Sequence, residues 1–394
     1  MKGRRGKPGP WSGQGKKASR PLEIEEVAGM DIQLLLQYMV ENRASDLHIK
    51  AGSPPYFRID GRLVKGDFPR MTPTDTVEAA YALMNEKQAK KFAENNEVDF
   101  AYSIAGLGRF RANIFKQRGT VGIAIRRVLT TAIPSFEELG LPPVLKRLAK
   151  ERRGLILVTG PAGSGKTTTL AAIIDYINST EELNIITIED PIEVLHVDKK
   201  SIIHQREIGT DTESYADALK YIIRQDPDVI LIGEMRDPET VTAAMNVAMT
   251  GHLVLSSFHT IDTTETINRI IDFFPPQQQK QVRLTLASIL KGIISQRLLP
   301  LKDQSGRVPA VEVMVMTGRM ADALINEEPT QVLRQIIAEG EFYGMQTFDQ
   351  SLVDLYRYGL VDFKVALQAA TDPHDFTLAV KQLGLEVEED LLNR

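Results

Sequence analysis

Gly154-Leu155-Ile156-Leu157-Val158-Thr159-Gly160-Pro161-Ala162-Gly163-Ser164-Gly165-Lys166-Thr167 is the stretch that decides the fold class. Leu155–Val158 is a short apolar run and reads as a buried strand, while Thr168–Asn178 reads as a helix. Between them stands Gly-x4-Gly-Lys-Thr, the phosphate-binding loop pattern in its expected strand-to-helix context. Glycines let backbone N–H groups wrap phosphate oxygens at the positive end of the following helix. Lys166 is suited to the β- and γ-phosphates of ATP, and the Thr167 hydroxyl to Mg²⁺. The nucleotide set is therefore Gly160, Pro161, Ala162, Gly163, Ser164, Gly165, Lys166, Thr167 and Thr168. Background residue frequencies produce such a match by chance in roughly one to two per cent of chains this long.

Working outward, open α/β sheets bind ligands beyond the carboxyl ends of their strands. Ile185–Ile188 is followed by Glu189, Asp190, Pro191 and Glu193; Val229–Gly233 by Glu234; Leu253–Phe258 by His259 and Thr260. Glu234, at a strand tip, has the reach to orient and deprotonate an attacking water. Gly233 stands where a magnesium-holding Asp is usual, so Glu189 or Asp190 is left to assist the metal beside Thr167, in part through water. His259 lies where it can sense a γ-phosphate. The plainer reading of each acid is a solvated side chain opening a loop, and it weighs more against Glu189, Asp190 and Glu193 than against Glu234.

Apolar runs alternate with helical patterns from Gly154 to about Leu255, the signature of a parallel sheet with crossovers. Upstream, Ile32, Leu34, Leu35, Tyr38 and Met39 recur at helical spacing. Ser45-Asp46-Leu47-His48-Ile49 opens an alternating stretch, a second helix follows Thr72, and short strands run through Phe110–Val128. The expected organisation is a basic disordered tail (1–28), an N-terminal α/β domain (29–132) and a Pro-bearing linker (133–147). An ATPase core (148–394) follows, its last part, from about 318, helical.

With 394 residues, a net charge of −5 and no cysteine, the chain has room for two domains and excludes disulfide frameworks and thiolate zinc sites. The overall acidity argues against nucleic acid as the partner. The tail carries seven Lys/Arg before any acid, and a solvated arm is its plain reading, against binding to anionic lipid or nucleic acid. The longest apolar runs are strand-sized, far short of a membrane span. Arg109, Arg111, Arg118, Arg126 and Arg127 cluster before the linker. They are either a solvated face or the source of an arginine that reaches the nucleotide.

Taken together, Ser45–His48, Arg109-Phe110-Arg111, the phosphate loop, Ile188–Glu193, Arg224–Asp228, Gly233–Asp237 and Thr250–Thr260 resemble the secretion ATPase superfamily. They resemble most its pilus retraction ATPase (PilT) family, over about 31–372. The resemblance implies a PAS-like N-terminal domain, a RecA-like P-loop core with a helical C-terminal region, and a homohexamer. It implies ATP bound between the two domains, with Arg111 and Arg126 reaching the nucleotide, Glu234 as the catalytic glutamate, and Glu189 and His259 in support. Cytoplasmic work at the inner membrane is also implied, docked on a platform protein of a pilus machine and beside a possible sister ATPase. One stretch departs from the family pattern: Met320–Glu327 carries Asp322 and Asn326 where retraction motors typically carry arginines. An accessory or assembly ATPase of a pilus or type II secretion machine is the alternative that this departure leaves open. A RecA-like nucleic-acid translocase is a third, and it lacks a basic, aromatic-bearing groove outside the first 20 residues.

Overall fold

The computed structural model describes residues 31–59, 61–104, 106–128, 133–302 and 306–387. The expected disordered tail, 1–28, lies outside them. Among the described residues, those up to Asp99 with Ala112–Arg126 form one compact unit. Phe100–Arg111 and those from Arg127 onward form the other.

The N-terminal elements are α1 (Ile32–Glu41), β1 (Asp46–Lys50), β2 (Tyr56–Ile59), β3 (Arg62–Lys65), α2 (Pro73–Leu83), α3 (Glu86–Asn95), β4 (Glu97–Ile104), β5 (Gly108–Gln117) and β6 (Thr120–Val128). The strands order as β3-β2-β1-β6-β5-β4. Helix α1 buries Ile32, Leu35, Leu36 and Met39, so its core face is rotated slightly from the expected one, with Leu36 replacing Leu34. Thr72 starts α2 as expected, through a capping box with Asp75 that satisfies two backbone donors.

The second unit contains α4 (Val144–Leu148), β7 (Gly154–Thr159), α5 (Lys166–Thr180), β8 (Asn184–Glu189), β9 (Ile202–Glu207), α6 (Tyr215–Ile222), β10 (Val229–Glu234), α7 (Pro238–Met249), β11 (Leu253–Phe258), α8 (Thr263–Asp272), α9 (Pro276–Ile289), β12 (Leu290–Pro300) and β13 (Arg307–Val315). Five helices close it: α10 (Gly318–Ile325), α11 (Thr330–Ala338), α12 (Phe348–Arg357), α13 (Phe363–Ala369) and α14 (Pro373–Gln382). Its sheet orders as β13-β12-β7-β11-β10-β8-β9. All neighbours are parallel except the β12–β13 hairpin.

Strands β7 and β11 are buried along their whole length, with Ile156, Leu157, Val158, Val254 and Leu255 fully enclosed between helical layers. Each such side chain contributes about 1.5–3 kcal/mol of burial. Parallel strands covered on both faces read as continuous apolar runs, which is why they were legible. Strand β12 was not. Its buried Ser295 and Gln296 interrupt the apolar pattern over 290–300, and they are buried because they stand under the phosphate loop. The Pro-bearing stretch before β7 gives Phe136, Leu141, Val144 and Leu145 to the core beneath α5.

Candidate active site

Parallel order places the tips of β7, β11, β10 and β8 side by side, and a cavity of about 540 Å³ opens there. The loop after β7 forms its floor. Gly160 has φ +144°, and a Cβ there would stand 2.5 Å from the Gln296 carbonyl oxygen, so only glycine fits. Gly163 and Gly165 also have positive φ, and around a Cβ at Gly163 nothing lies within 4 Å. This is an open turn of backbone donors at the start of α5, shaped for an anion. Below it, Thr159 Oγ1 and Ser295 Oγ are 2.6 Å apart, and Gln296 Nε2 donates to Thr169 Oγ1 at 2.9 Å. Among the described residues the buried Ser164 hydroxyl has no partner. An anion-shaped turn, an orphan hydroxyl and a captive ammonium all fit a bound polyphosphate.

Lys166 Nζ donates to the Gly160 and Pro161 carbonyls at 2.8 and 3.0 Å, and lies 3.5 Å from His259 Nδ1. Burial lowers the Lys166 pKa, against the pull of the Glu234 and Glu193 carboxylates. From the other ring nitrogen, His259 Nε2 reaches Glu234 Oε2 at 3.3 Å. Glu234 is also held by Arg236, with Nε 2.6 Å from Oε1. Lys166, His259, Glu234 and Arg236 thus form one continuous polar chain across three strand tips. The β10–β11 register shifts between Ile232 and Glu234, and such a bulge re-aims the side chain that follows it.

Glu189 differs in its surroundings. It is 8% exposed, accepts from Thr187 Oγ1 at 2.6 Å and Gln205 Nε2 at 3.1 Å, and burial raises its pKa. Asp190, joined to Pro191 by a cis peptide bond, is exposed in the same cavity wall with Glu193. Thr167 and Thr168 line the cavity at the first turn of α5.

The expected loop residues from Ala162 to Thr168, with Glu189, Asp190, Glu234 and His259, are brought together. Arg111 and Arg126 are not among the cavity's lining residues. Arg111 is exposed on β5; Arg126, on β6, pairs with Asp46 at 2.8 Å. Burial pushes the Asp46 carboxyl up, but Ser45 and Arg126 outweigh it and hold the pKa below the usual value. Arg109 is ion-paired to the buried Glu207.

Sequence reasoning gave no role to Arg236, Arg307, Leu298, His196 and Tyr215, all of which line the cavity. Arg236 was the legible one, two residues beyond Glu234 at the same strand end. The others come from β13, β12, a loop and α6, and no local pattern marks them.

A strand–loop–helix anion cradle, with acids and a histidine on neighbouring parallel strand tips, defines a RecA-like P-loop nucleotidase. A family model described as type II/IV secretion system protein matches residues 25–347. Type IV pilus ATPase PilU of Pseudomonas aeruginosa is 43% identical over 364 residues, 92% of this chain and 94% of that protein. Type IV pilus retraction ATPase PilT of the same organism is 42% identical over 347 residues, 88% of this chain and 100% of that protein. The crystal structure of a pilus retraction motor PilT with bound ADP matches with TM-score 0.80 at 48% identity, covering 88% of this chain and 98% of that one. The chain belongs to the type II/IV secretion system protein family. Within it, this chain is a nucleotide-binding, ATP-hydrolysing enzyme. Among the described residues no helix is long and apolar enough to cross a membrane.

Proposed function

We propose that ATP hydrolysis in this cavity drives the withdrawal of type IV pili. The reading rests on one observation above others: the chain from Lys166 through His259 to Glu234, which puts a phosphate-binding cation and a carboxylate at either end of one imidazole. Lys166 and the loop amides hold the β- and γ-phosphates, and Glu234 orients a water and takes its proton. His259, touching both, links the state of the phosphate site to the position of the carboxylate. Thr167, Glu189 and Asp190 are the residues that would hold Mg²⁺, in part through water. Mg²⁺ supplies charge neutralisation on the phosphate oxygens. Arg111 and Arg126 enter as nucleotide-facing arginines, and Arg126 must then leave Asp46. The working form is a homohexamer at the inner face of the membrane, docked on a platform protein of the pilus machine. A relative named for pilus retraction, 42% identical along its full length, supports the retraction reading.

The test is pilus dynamics in cells whose only copy carries Glu234→Gln, beside the ATPase rate of the purified enzyme. Nucleotide binding should persist, hydrolysis should fail, and pili should extend without withdrawing. Cells that make no pili would establish an assembly motor instead.

A second reading, an accessory retraction motor, is favoured by α10. Its packing survives through the buried Met320, Ala323 and Leu324, while Asp322 and Asn326 present an exposed face without the family's arginines. PilU, at 43% identity, is named a pilus ATPase without the word retraction. Deleting this chain where another retraction ATPase remains should then lower retraction force without abolishing retraction.

A further inference from the structure

Gly233 occupies the position where P-loop enzymes commonly place a magnesium-holding aspartate, and the structure gives a physical reason why it is glycine. A Cβ at 233 would stand 2.9 Å from the Tyr215 hydroxyl, and 3.3 Å from both Glu189 Cα and the Ile188 carbonyl oxygen. The phenol has taken the volume of the missing side chain.

Tyr215 is the first residue of α6, placed by the Ser214 N-cap, and its ring packs against the core shared by β8, β10 and α7. The rest of the side chain lines the cavity. Among the described residues its hydroxyl makes no hydrogen bond, although phenols anchored beside a core ordinarily find a partner. The charges of Glu234, Asp190 and Glu189 act on it, against the opposing charge of Arg236, and all four residues line the same cavity. Burial first, and then these acids, keep the phenol well above its usual pKa, so it stays a neutral group able both to donate and to accept.

We propose that the Tyr215 hydroxyl stands in for the absent aspartate: it accepts a hydrogen bond from a water of the nucleotide-bound Mg²⁺ and donates to Glu189 or Asp190. A carboxylate at 233 would add a further negative charge beside Glu189, Asp190 and Glu234. A phenol orients the same water without that charge. Tyr215 is thus a positioning residue for the metal, and the inference rests on the reading of the cavity as an Mg²⁺–ATP site. An outer-shell partner of this kind is typically worth ten- to a hundredfold in metal affinity.

Tyr215→Phe keeps the ring in the core and removes only the hydroxyl, and a thermal melt checks that the fold is retained. A fluorescent ATP analogue is titrated against purified wild-type protein and the variant, first in EDTA and then with rising Mg²⁺. Mn²⁺ binding to the nucleotide complex is followed by electron paramagnetic resonance. The expected result is metal-free affinity within about twofold of wild type and a half-saturating Mg²⁺ concentration raised about tenfold. Superimposable Mg²⁺ titrations overturn the inference, since the hydroxyl then only fills space. A lowered ATPase rate with unchanged Mg²⁺ and Mn²⁺ binding also overturns it, and moves the hydroxyl's role to the attacking water. If wild-type protein binds no ATP, or binds it without regard to Mg²⁺, the reading of the cavity itself fails, and this inference with it.

Discussion

The tips of β8 and β10 are neighbours in one sheet, and each ends in a glutamate, yet the two acids inhabit different electrostatic worlds. Glu189 is buried, its known partners are the neutral Thr187 and Gln205, and its pKa is raised. Glu234 is met by the guanidinium of Arg236 and by His259, itself within 3.5 Å of the Lys166 ammonium. A carboxylate held by a guanidinium and an imidazole is placed to take a proton from a bound water. One held by neutral donors in a dry wall is better suited to fixing geometry. Identical residue type and identical place on the strand therefore do not imply identical work.

The largest expected effect tests the β10 side. Glu234→Gln keeps size and hydrogen bonding but removes the proton acceptor, so steady-state ATPase should fall by about 10²–10⁴-fold, with nucleotide affinity retained. A fall below tenfold would dissolve the distinction between the tips. On the β8 side, Glu189→Gln should cost about tenfold in rate, read in the same assay. Its effect on stability has a definite sign. Because the folded pKa is raised, the wild type loses stability as pH rises from 4.5 through the folded value. The Gln variant lacks that loss, so its melting temperature at pH 8 should equal or exceed that of wild type.

The smallest effect belongs to His196, on the same side of the cavity. Its backbone N–H donates to the Gln205 side chain that holds Glu189. Burial pushes its pKa down to about 4, and among the described residues its buried Nδ1 has no partner. A base whose folded pKa lies below its unfolded 6.5 contributes stability that is present above pH 6.5 and lost as pH falls toward 4. The loss should be roughly 2 kcal/mol after discounting for partial exposure, measured by denaturant titration across that window. His196→Asn should flatten the profile.

The cradle was legible because its constraints are local: Gly160, Gly163 and Gly165 are demanded by the backbone itself, and Lys166 and Thr167 follow at fixed spacing. Strands β7, β8, β10 and β11 were legible because burial on both faces leaves unbroken apolar runs, and the acids and His259 were found by looking at where those runs stop. Strand β12 was missed because its polar residues answer to the loop above them and not to strand periodicity.

The order of the strands, which brings β11 between β7 and β10 and so places His259 between Lys166 and Glu234, was decided only in three dimensions. So were the unequal surroundings of Glu189 and Glu234, and the meeting of Tyr215 with Gly233, 18 residues apart in sequence. The sequence by itself determined the kind of chemistry and most of the residues that carry it, because glycine, lysine and acids at strand ends are selected by short-range geometry. Only the tertiary structure decided which of those residues share a charge environment, because burial and Coulomb interaction depend on through-space neighbours that no local pattern records.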